Sequence, residues 1–175
     1  MLDQNLLANL QRLKTEYRQM DYNWRDVALY ALAVGAHPED LIYFYEKGLK
    51  AIPTFGTLPC WSAIHTVPRI PAPFPVSFMI GDMLGDRFSS LQMEQELVIH
   101  RPIDPIKGTF IYQDKVSGVY DRGPGKGLVV ASEMQVFDEA GAPVCTNRAA
   151  TLFKKFGGFG GPPHPKAAVE IPACD

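Results

Sequence analysis

The chain has 175 residues, 46% of them hydrophobic, and a formal net charge of -2 at pH 7. This length suits one domain with a hydrophobic core, and the near-neutral charge argues against a nucleic-acid partner, whose phosphates require a basic face. No apolar run approaches the roughly 18 residues that a membrane-spanning helix needs, and the N-terminus lacks a signal-peptide pattern. The three cysteines are far apart, which fits a reducing compartment. We therefore expect a cytoplasmic protein that is not attached to a membrane.

Residues 1–20 predict an N-terminal amphipathic helix. Its apolar stripe consists of Leu6, Leu10, Leu13 and Tyr17. We expect this helix to lie on the outside of the domain, with contact to a partner as the alternative. The segment from Gln19 to Tyr22 is also compatible with a short first strand.

A second helix is predicted after Asn23, whose side chain suits the N-cap position, with Asp26 completing a capping box. Gly35 provides the left-handed residue that ends the helix. The helix is apolar on most of its surface, so we predict that the following strands wrap around it. Residues 41–45 are aromatic and β-branched and are expected to be extended.

The segment from Ile52 to Trp61 predicts a broken helix at the centre of the domain. Pro53 suits the start of a helical turn, whereas Gly56 and Pro59 prevent one long helix. Residues 65–76, HTVPRIPAPFPV, are too rich in proline for a helix or a central strand. We expect a rigid loop over the core with apolar walls from Ile70, Phe74 and Val76, and a polyproline docking motif is the alternative.

Four strands are predicted at residues 91–99, 109–120, 128–137 and 144–153. In the first strand Leu91, Met93, Leu97 and Ile99 alternate with polar residues, and Gln95 is the one exception. Short turns join the strands, including RGPGKG at residues 122–127, which is a hairpin tip because no helix follows it. The pattern predicts an α+β fold with an antiparallel meander wrapped around a short or degenerate central helix.

Several blocks of sequence carry a resemblance to a known family. They are YNWRDVALYALAVGA, AIPTFGTLP, LQMEQELVIHRPI, VYDRGPGKGLVV and LFKKFGGFGG, in this order. Together they closely resemble the N-terminal half of the MaoC-like (R)-specific enoyl-CoA hydratases, over roughly residues 20 to 172. Those proteins have two hot-dog domains. The resemblance implies a single hot-dog domain at residues 21–156, followed by a Gly/Pro-rich, linker-like tail at 157–175.

In that family the N-terminal hot-dog carries no catalytic residues and makes room for the fatty acyl tail. The C-terminal hot-dog holds an Asp-x-Asn-Pro-x-His motif, and this chain stops where the family's linker leads into that half. The only comparable stretch here is His37-Pro38-Glu39-Asp40, which lacks the Asn-Pro-x-His order and is expected to be a solvated turn. We therefore expect no catalytic residue in this chain, and no spacing of residues indicates a metal site.

The resemblance implies a non-catalytic, acyl-chain-binding subunit of a two-component (R)-specific 2-enoyl-CoA hydratase of fatty acid or related acyl-CoA metabolism. The partner would be a second hot-dog chain with the catalytic motif. The alternative is a homodimer that binds acyl-CoA without turnover, and a third reading is an independent hydratase or thioesterase that uses Glu39 or Asp40. No cofactor is expected, because the coenzyme A thioester belongs to the substrate.

The acyl tail is predicted to enter a tunnel bordered by Phe55, Trp61 and Met93, with Gly56 leaving space for it. One departure from the family bears on this tunnel. Members often have His-Gly before Glu-Gln in the first long strand, whereas Gln92-Met93 precede Glu94-Gln95 here. The role of that pair does not carry over, and Met93 is expected to narrow the tunnel.

Overall fold

Five antiparallel strands form the sheet that organises the chain, which confirms the predicted α+β fold. The computed structural model describes residues 2–45, 47–61, 76–85 and 89–165, without the side chains of Trp61 and Phe78. The strands are β1 (Arg18–Asn23), β2 (Ser90–Ile99), β3 (Lys107–Asp121), β4 (Leu128–Phe137) and β5 (Pro143–Phe153). Their order across the sheet is β1-β3-β4-β5-β2.

Strands β3, β4 and β5 form two consecutive hairpins, as the turn signals predicted. The third predicted hairpin, between β2 and β3, is wrong. Strand β2 pairs with β5 at one edge, whereas β3 pairs with β1 at the other side of the sheet. The chain between Ile99 and Lys107 therefore crosses from one side of the sheet to the other. Its prolines mark the end of a strand but say nothing about where the next strand pairs.

The N-terminal helix, α1 (Gln4–Gln11), is shorter than predicted. Asp3 caps it by accepting a hydrogen bond from the Leu6 amide at 2.6 Å. The prediction of one helix through residue 20 is wrong in its second half, where the chain becomes β1 instead. The short first strand is confirmed. Because the helix ends at Gln11, the predicted apolar stripe does not continue to Tyr17, whose side chain is exposed.

The second helix, α2 (Trp24–Ala33), has the predicted ends. The Asn23 side chain accepts from the Arg25 amide at 2.9 Å, and Asp26 accepts from the Asn23 amide at 2.8 Å. Gly35 follows with φ of 90°. These contacts are set by neighbouring residues, so the sequence was sufficient to predict them.

The predicted burial of α2 is wrong, because the sheet does not wrap around it. Only Val27 and Ala31 are buried, whereas Leu29 is 67% and Leu32 is 52% exposed. The helix lies against the short strand β1 at one side of the sheet. Its apolar surface is therefore largely open to solvent.

A broken helical segment, rather than α2, lies on the sheet. A 3-10 helix at Pro53–Thr57 leads into one turn of α-helix, α3 (Leu58–Trp61), and the 3-10 part contacts β2 and β5. This confirms the degenerate central helix. Helix α4 (Val76–Met83) packs on β3 and β4. We call the face of the sheet that these segments cover the inner face.

Other predictions for the helical region have different outcomes. Residues 41–45 are not extended, because a 3-10 turn forms at Leu41–Tyr43. Val76 is fully buried, whereas Ile70, Phe74 and the rest of residues 62–75 lie outside the described residues. In the described ranges, no helix has the length and apolarity needed to cross a membrane.

Strand β2 contains a bulge that the alternation pattern did not anticipate. Gln92 pairs with Thr151 and Glu94 with Ala150, so Met93 is an extra residue between them. One extra residue exchanges the two faces of a strand. Gln92, Gln95, Leu97 and Ile99 therefore share the inner face, and Gln95 is no exception within that set.

The tail after β5 is extended, as predicted, but it is docked on the sheet. The Asp121 carboxylate accepts hydrogen bonds from the amides of Gly158 and Gly160, both at 2.7 Å. Further along, the His164 ring packs edge-on against Tyr120, with ring centroids 5.0 Å apart. The described tail, up to residue 165, is thus anchored to the end of β3.

Candidate functional site

The inner face of the sheet carries two separate hydrophobic clusters with a polar band between them. The first cluster joins α1 and α4 to Val119, Leu128 and Phe153. The second surrounds Phe55 and includes Tyr22, Phe110, Met134, Val136 and Cys145. The band between them consists of Gln95, Asp114, Ser132, Asn147 and Thr151. Asp114 and Asn147 of this band are buried, Ser132 and Thr151 are half-buried, and Gln95 is exposed. Buried polar groups stabilise a fold only when they are hydrogen-bonded.

At one end of the broken segment a cavity of about 640 Å³ opens beside the end of β2. We call it the apolar groove. Its apolar lining is Leu49, Ala51, Pro53, Ile99, Pro102, Ile103 and Pro105. Its volume lies within the ~300–1,000 Å³ that small-molecule sites usually have. The groove can therefore hold an alkyl chain.

Polar side chains lie along the rim of the apolar groove. Lys50 and Arg101 are basic, and Arg101 forms an ion pair with Asp138. The Nε2 atom of His100 lies 2.9 Å from the Thr146 hydroxyl. Apolar walls with a basic rim suit a ligand that has an alkyl part and an anionic part.

A second, smaller cavity of about 70 Å³ lies within the polar band, and we call it the polar cavity. Its polar lining is Gln92, Gln95, Asp114, Ser132, Asn147 and Thr151 from the sheet, with Cys60 from α3 and Ser77 from α4. Asn147 is 2% exposed, and its Nδ2 donates to the Gly56 carbonyl at 3.0 Å. Within the described residues the Asn147 Oδ1 atom has no hydrogen-bond partner.

Asp114 is the buried carboxyl group of the polar cavity. Its Oδ2 accepts a hydrogen bond from the Val76 amide at 3.0 Å, at the start of α4. Burial raises the pKa of Asp114 to about 6, although that amide and the charge of Arg18 favour the ionised form. Burial, and secondarily the charge of Asp114, also raises the pKa of the Cys60 thiol to about 12. Cys60 is therefore protonated and is a poor nucleophile near neutral pH.

Two residues of the predicted tunnel, Phe55 and Gly56, lie in the central segment. Phe55 is fully buried, with its ring centroid 5.1 Å from that of Tyr22. Gly56 lies directly behind the wall of the apolar groove. A Cβ atom at Gly56 would lie 3.5 Å from the Cδ1 atoms of Ile99 and Ile103, and 3.1 Å from the Cys145 sulfur.

Of the other two predicted tunnel residues, Met93 is not brought to this place. Met93, in the bulge, is 43% exposed and lines a groove with Tyr120 and Arg148. The backbone of Trp61 ends α3, but its side chain lies outside the described residues. The structure therefore does not bring Phe55 and Met93 into one tunnel, and the acyl-binding role of all four residues stays a prediction.

The stretch His37–Asp40 forms a solvated turn, as the sequence indicated. The side chains of His37 and Glu39 are 69% and 89% exposed. The Asp40 carboxylate accepts a hydrogen bond from the His37 amide at 3.1 Å. Such a turn provides no water-excluded place for acid/base chemistry on a thioester.

The polar band was missed in the sequence, although a signal for it exists. The apolar inner positions of β3, β4 and β5 are each interrupted, by Asp114, Ser132 and Asn147 respectively. A single polar residue in an alternating strand is a weak signal by itself. It gains meaning only when the register shows that the interruptions are adjacent. That register was not predictable, because it shifts between Val116 and Gly118 in β3 and between Val136 and Phe137 in β4.

Comparisons with known proteins agree with this fold. The family described as the MFE-2 hydratase 2 N-terminal domain matches residues 20–155. A protein of Dictyostelium discoideum named "Probable enoyl-CoA hydratase 2" is 30% identical over 160 residues, covering 89% of this chain and 51% of that protein. The chain thus spans about half the length of this relative.

Solved structures show the same likeness. A MaoC-like dehydratase from Phytophthora capsici is 26% identical with a TM-score of 0.67, over 93% of this chain and 54% of that one. A chain of the ChsH1-ChsH2 complex from Mycobacterium tuberculosis has a TM-score of 0.64 at 14% identity, covering 94% of this chain and 97% of that one. The second likeness is one of fold alone.

Proposed function

The chain belongs to the MFE-2 hydratase 2 N-terminal domain family, and we propose that it binds the acyl chain for a hydratase of (R) specificity that acts on 2-enoyl-CoA thioesters. Support comes from its relatives, which are named as enoyl-CoA hydratases and dehydratases. In this proposal the coenzyme A thioester is part of the substrate, and no separate cofactor takes part. A cytoplasmic location stays a prediction.

The observation that carries this proposal is the apolar groove beside the broken central segment. Because Pro53 and Gly56 prevent a continuous helix on the sheet, the segment leaves about 640 Å³ open next to Ile99 and Ile103. Burying acyl methylene groups there contributes about 0.8 kcal/mol each. Lys50 and Arg101 at the rim would attract the anionic coenzyme A part.

Catalysis in this proposal belongs to a second hot-dog unit. Hydration places a hydroxyl group on C3 and a proton on C2 of the enoyl group, which requires acid/base side chains around one water molecule. In the described residues the only histidine that lines the apolar groove is His100, and it is paired with Thr146 rather than with a carboxylate. Those groups would therefore come from the partner.

Two surfaces support the presence of such a partner. Strand β2 lies at an edge of the sheet and exposes Leu91 (50%) and Met93 (43%). An exposed apolar edge strand is prone to pair with another strand. A further apolar patch covers α2 and the following turn, where Leu29, Leu32 and Leu41 are more than half exposed.

Reconstitution tests the proposal. The chain would be mixed with the remaining half of the Dictyostelium discoideum relative, and hydration of trans-2-enoyl-CoA would be measured for each part alone and for both. We expect turnover only with both parts. His37→Ala, Asp40→Ala and His100→Gln should keep the activity of the complex within a few-fold.

Three results would count against the proposal. Turnover by this chain alone, abolished by Asp40→Ala, would make it an independent enzyme. A loss of 100-fold or more in the complex with any of the three variants, about 2.7 kcal/mol in barrier, would mean that this chain carries the catalytic site. Acyl-CoA binding with no gain in activity from the added half would favour the alternative, a homodimeric binding module.

A further inference from the structure

The side chains of the polar cavity do not suit a ligand that consists of hydrocarbon alone. This mismatch indicates which class of acyl chain the proposed function involves. Ile99 lines the apolar groove and Gln95 lines the polar cavity, and both lie on the inner face of β2 with Leu97 between them. Four residues of strand span about 13 Å. A long acyl chain that extends from the groove into the cavity would therefore pass from apolar to polar surroundings.

The side chain of Asn147 determines which kind of ligand group can bind in the polar cavity. The Gly56 carbonyl is only an acceptor, so the Asn147 amide must turn its Nδ2 toward it, at 3.0 Å. This orientation leaves Oδ1 without a partner among the described residues, on a side chain that is 2% exposed and lines the cavity. A ligand group that meets Oδ1 must therefore donate a hydrogen bond.

The other side chains of the cavity can complete a hydroxyl site. The Ser132 hydroxyl, half-buried beside Asn147 in the cavity lining, can donate to a ligand oxygen. A cavity of about 70 Å³ has room for a hydroxyl group with a carbon or two. A methyl end placed there would leave the buried polar atoms unpaired, which is unfavourable.

We propose that the acyl chain bound by this protein carries a hydroxyl group at its far end, which donates to Asn147 Oδ1 and accepts from Ser132. This inference rests on the proposed acyl-binding function and adds the substrate class. A ketone at the same carbon would not satisfy Asn147, because it cannot donate.

Calorimetric binding to the folded chain tests the inference. Three matched series of acyl-CoAs, from octanoyl to hexadecanoyl, would have a terminal methyl group, a terminal hydroxyl group or a ketone next to the last carbon. At one chain length we expect the hydroxyl compound to bind at least about fivefold more tightly than the methyl compound, as one net hydrogen bond provides. The ketone should bind no better than the methyl compound.

Variants of the cavity provide the matched comparison. Asn147→Leu should remove the preference for the hydroxyl compound, with thermal unfolding as the check on its fold. Ser132→Ala is the milder variant that remains informative if Asn147→Leu does not fold, and it should reduce the preference. Ser117→Ala, an exposed serine of β3, should leave it unchanged.

Each result has one meaning. If the three series bind equally at every length, the polar cavity holds only water, which overturns this inference and leaves the acyl-binding function standing. A preference that survives in both Asn147→Leu and Ser132→Ala would also overturn it. If no acyl-CoA binds at any length, the proposed function itself is wrong.

Discussion

The buried carboxyl group of Asp114, in the polar band, makes the stability of the protein depend on pH. It is 5% exposed, and burial raises its pKa from 3.8 to about 6, so the folded state holds its proton more tightly than the unfolded state does. Its contribution to stability is therefore favourable at low pH and falls as the pH rises from about 4 through 6. This is the opposite of an ion-paired carboxylate at a surface.

We predict that Asp114→Asn stabilises the protein progressively as the pH rises. The asparagine oxygen can still accept the Val76 amide, but it has no charge to bury. The gain in unfolding free energy over the unmodified chain should grow by up to about 3 kcal/mol between pH 4 and pH 7. Urea denaturation at several pH values measures it, with the exposed Asp104→Asn as control; an equal difference at every pH would refute it.

A second residue-scale prediction concerns the apolar groove. Gly56→Leu would press on Cys145, which a Cβ at Gly56 already approaches to 3.1 Å, so it would disturb the core as well as the groove. Ala51→Leu is the cleaner change, because Ala51 lines the groove itself. We expect at least tenfold weaker binding of long-chain acyl-CoAs, with crotonyl-CoA unaffected.

Ala140→Leu is the matched control for this variant, because Ala140 is exposed in the turn between β4 and β5. It should bind long chains as the unmodified protein does. An equal loss of short and long acyl-CoAs in Ala51→Leu would mean that chain length is read elsewhere.

At the scale of elements, local signals were reliable for the strands and for the ends of α2, but not for the length of α1 or for residues 41–45. The strand at residues 128–137 was predicted at its observed bounds, and the other strands within a residue or two, since alternation and turns depend on neighbouring residues. The capping box at Asn23 was confirmed for the same reason. The pairing of β2 with β5 depends on residues about 50 positions apart, which no local pattern encodes.

The candidate site was less predictable than the strands. The break at Pro53 and Gly56 was foreseen from residue types alone. The apolar groove was not foreseen. Leu49 and Ile103 both line it, but they are far apart in the sequence and are brought together by the connection that crosses the sheet after β2. Met93 was assigned to the tunnel because Gln92-Met93 stand where family members often have His-Gly, and the bulge between Gln92 and Glu94 removes Met93 from the inner face.

The docked tail supports an element-scale prediction. Besides Gly158 and Gly160, the Asp121 carboxylate accepts from the Gly123 amide at 2.8 Å, and these amide hydrogen bonds lower its pKa. We predict that Asp121→Ala releases residues 156–165 while the sheet remains folded. Hydrogen exchange at Gly158 and Gly160 should become at least tenfold faster.

The same release should occur in the unmodified chain at low pH. Because the folded pKa of Asp121 is lowered, its contribution is present above pH 3.8 and is lost as the pH falls through the folded value. Asp104→Ala is the control, since the exposed Asp104 carboxylate accepts a local hydrogen bond from the Ile106 amide. Unchanged exchange of the tail in Asp121→Ala would show that other contacts, such as His164 with Tyr120, hold it.

At the scale of the whole molecule, the sheet is asymmetric. Strand β1 has six residues and is flanked by α2. Strand β2 has ten residues, of which residues 91–96 are exposed. The inner face near β2 also carries both the apolar groove and the polar cavity. A partner that extends the sheet at β2 would therefore lie beside both cavities and could place catalytic groups at the groove.

We predict that the chain alone forms a dimer in which two sheets join through β2, with the partner hot-dog replacing one copy when it is present. Charged residues on an edge strand oppose such pairing. The double variant Leu91→Lys, Met93→Lys should therefore be a monomer at micromolar concentration by light scattering. Ile106→Lys, which changes an equally exposed apolar residue in the crossing connection, should remain a dimer. A monomeric unmodified chain would contradict the prediction, and a dimer that survives both lysines would place the interface on another surface, where the exposed face of α2 is the next to test.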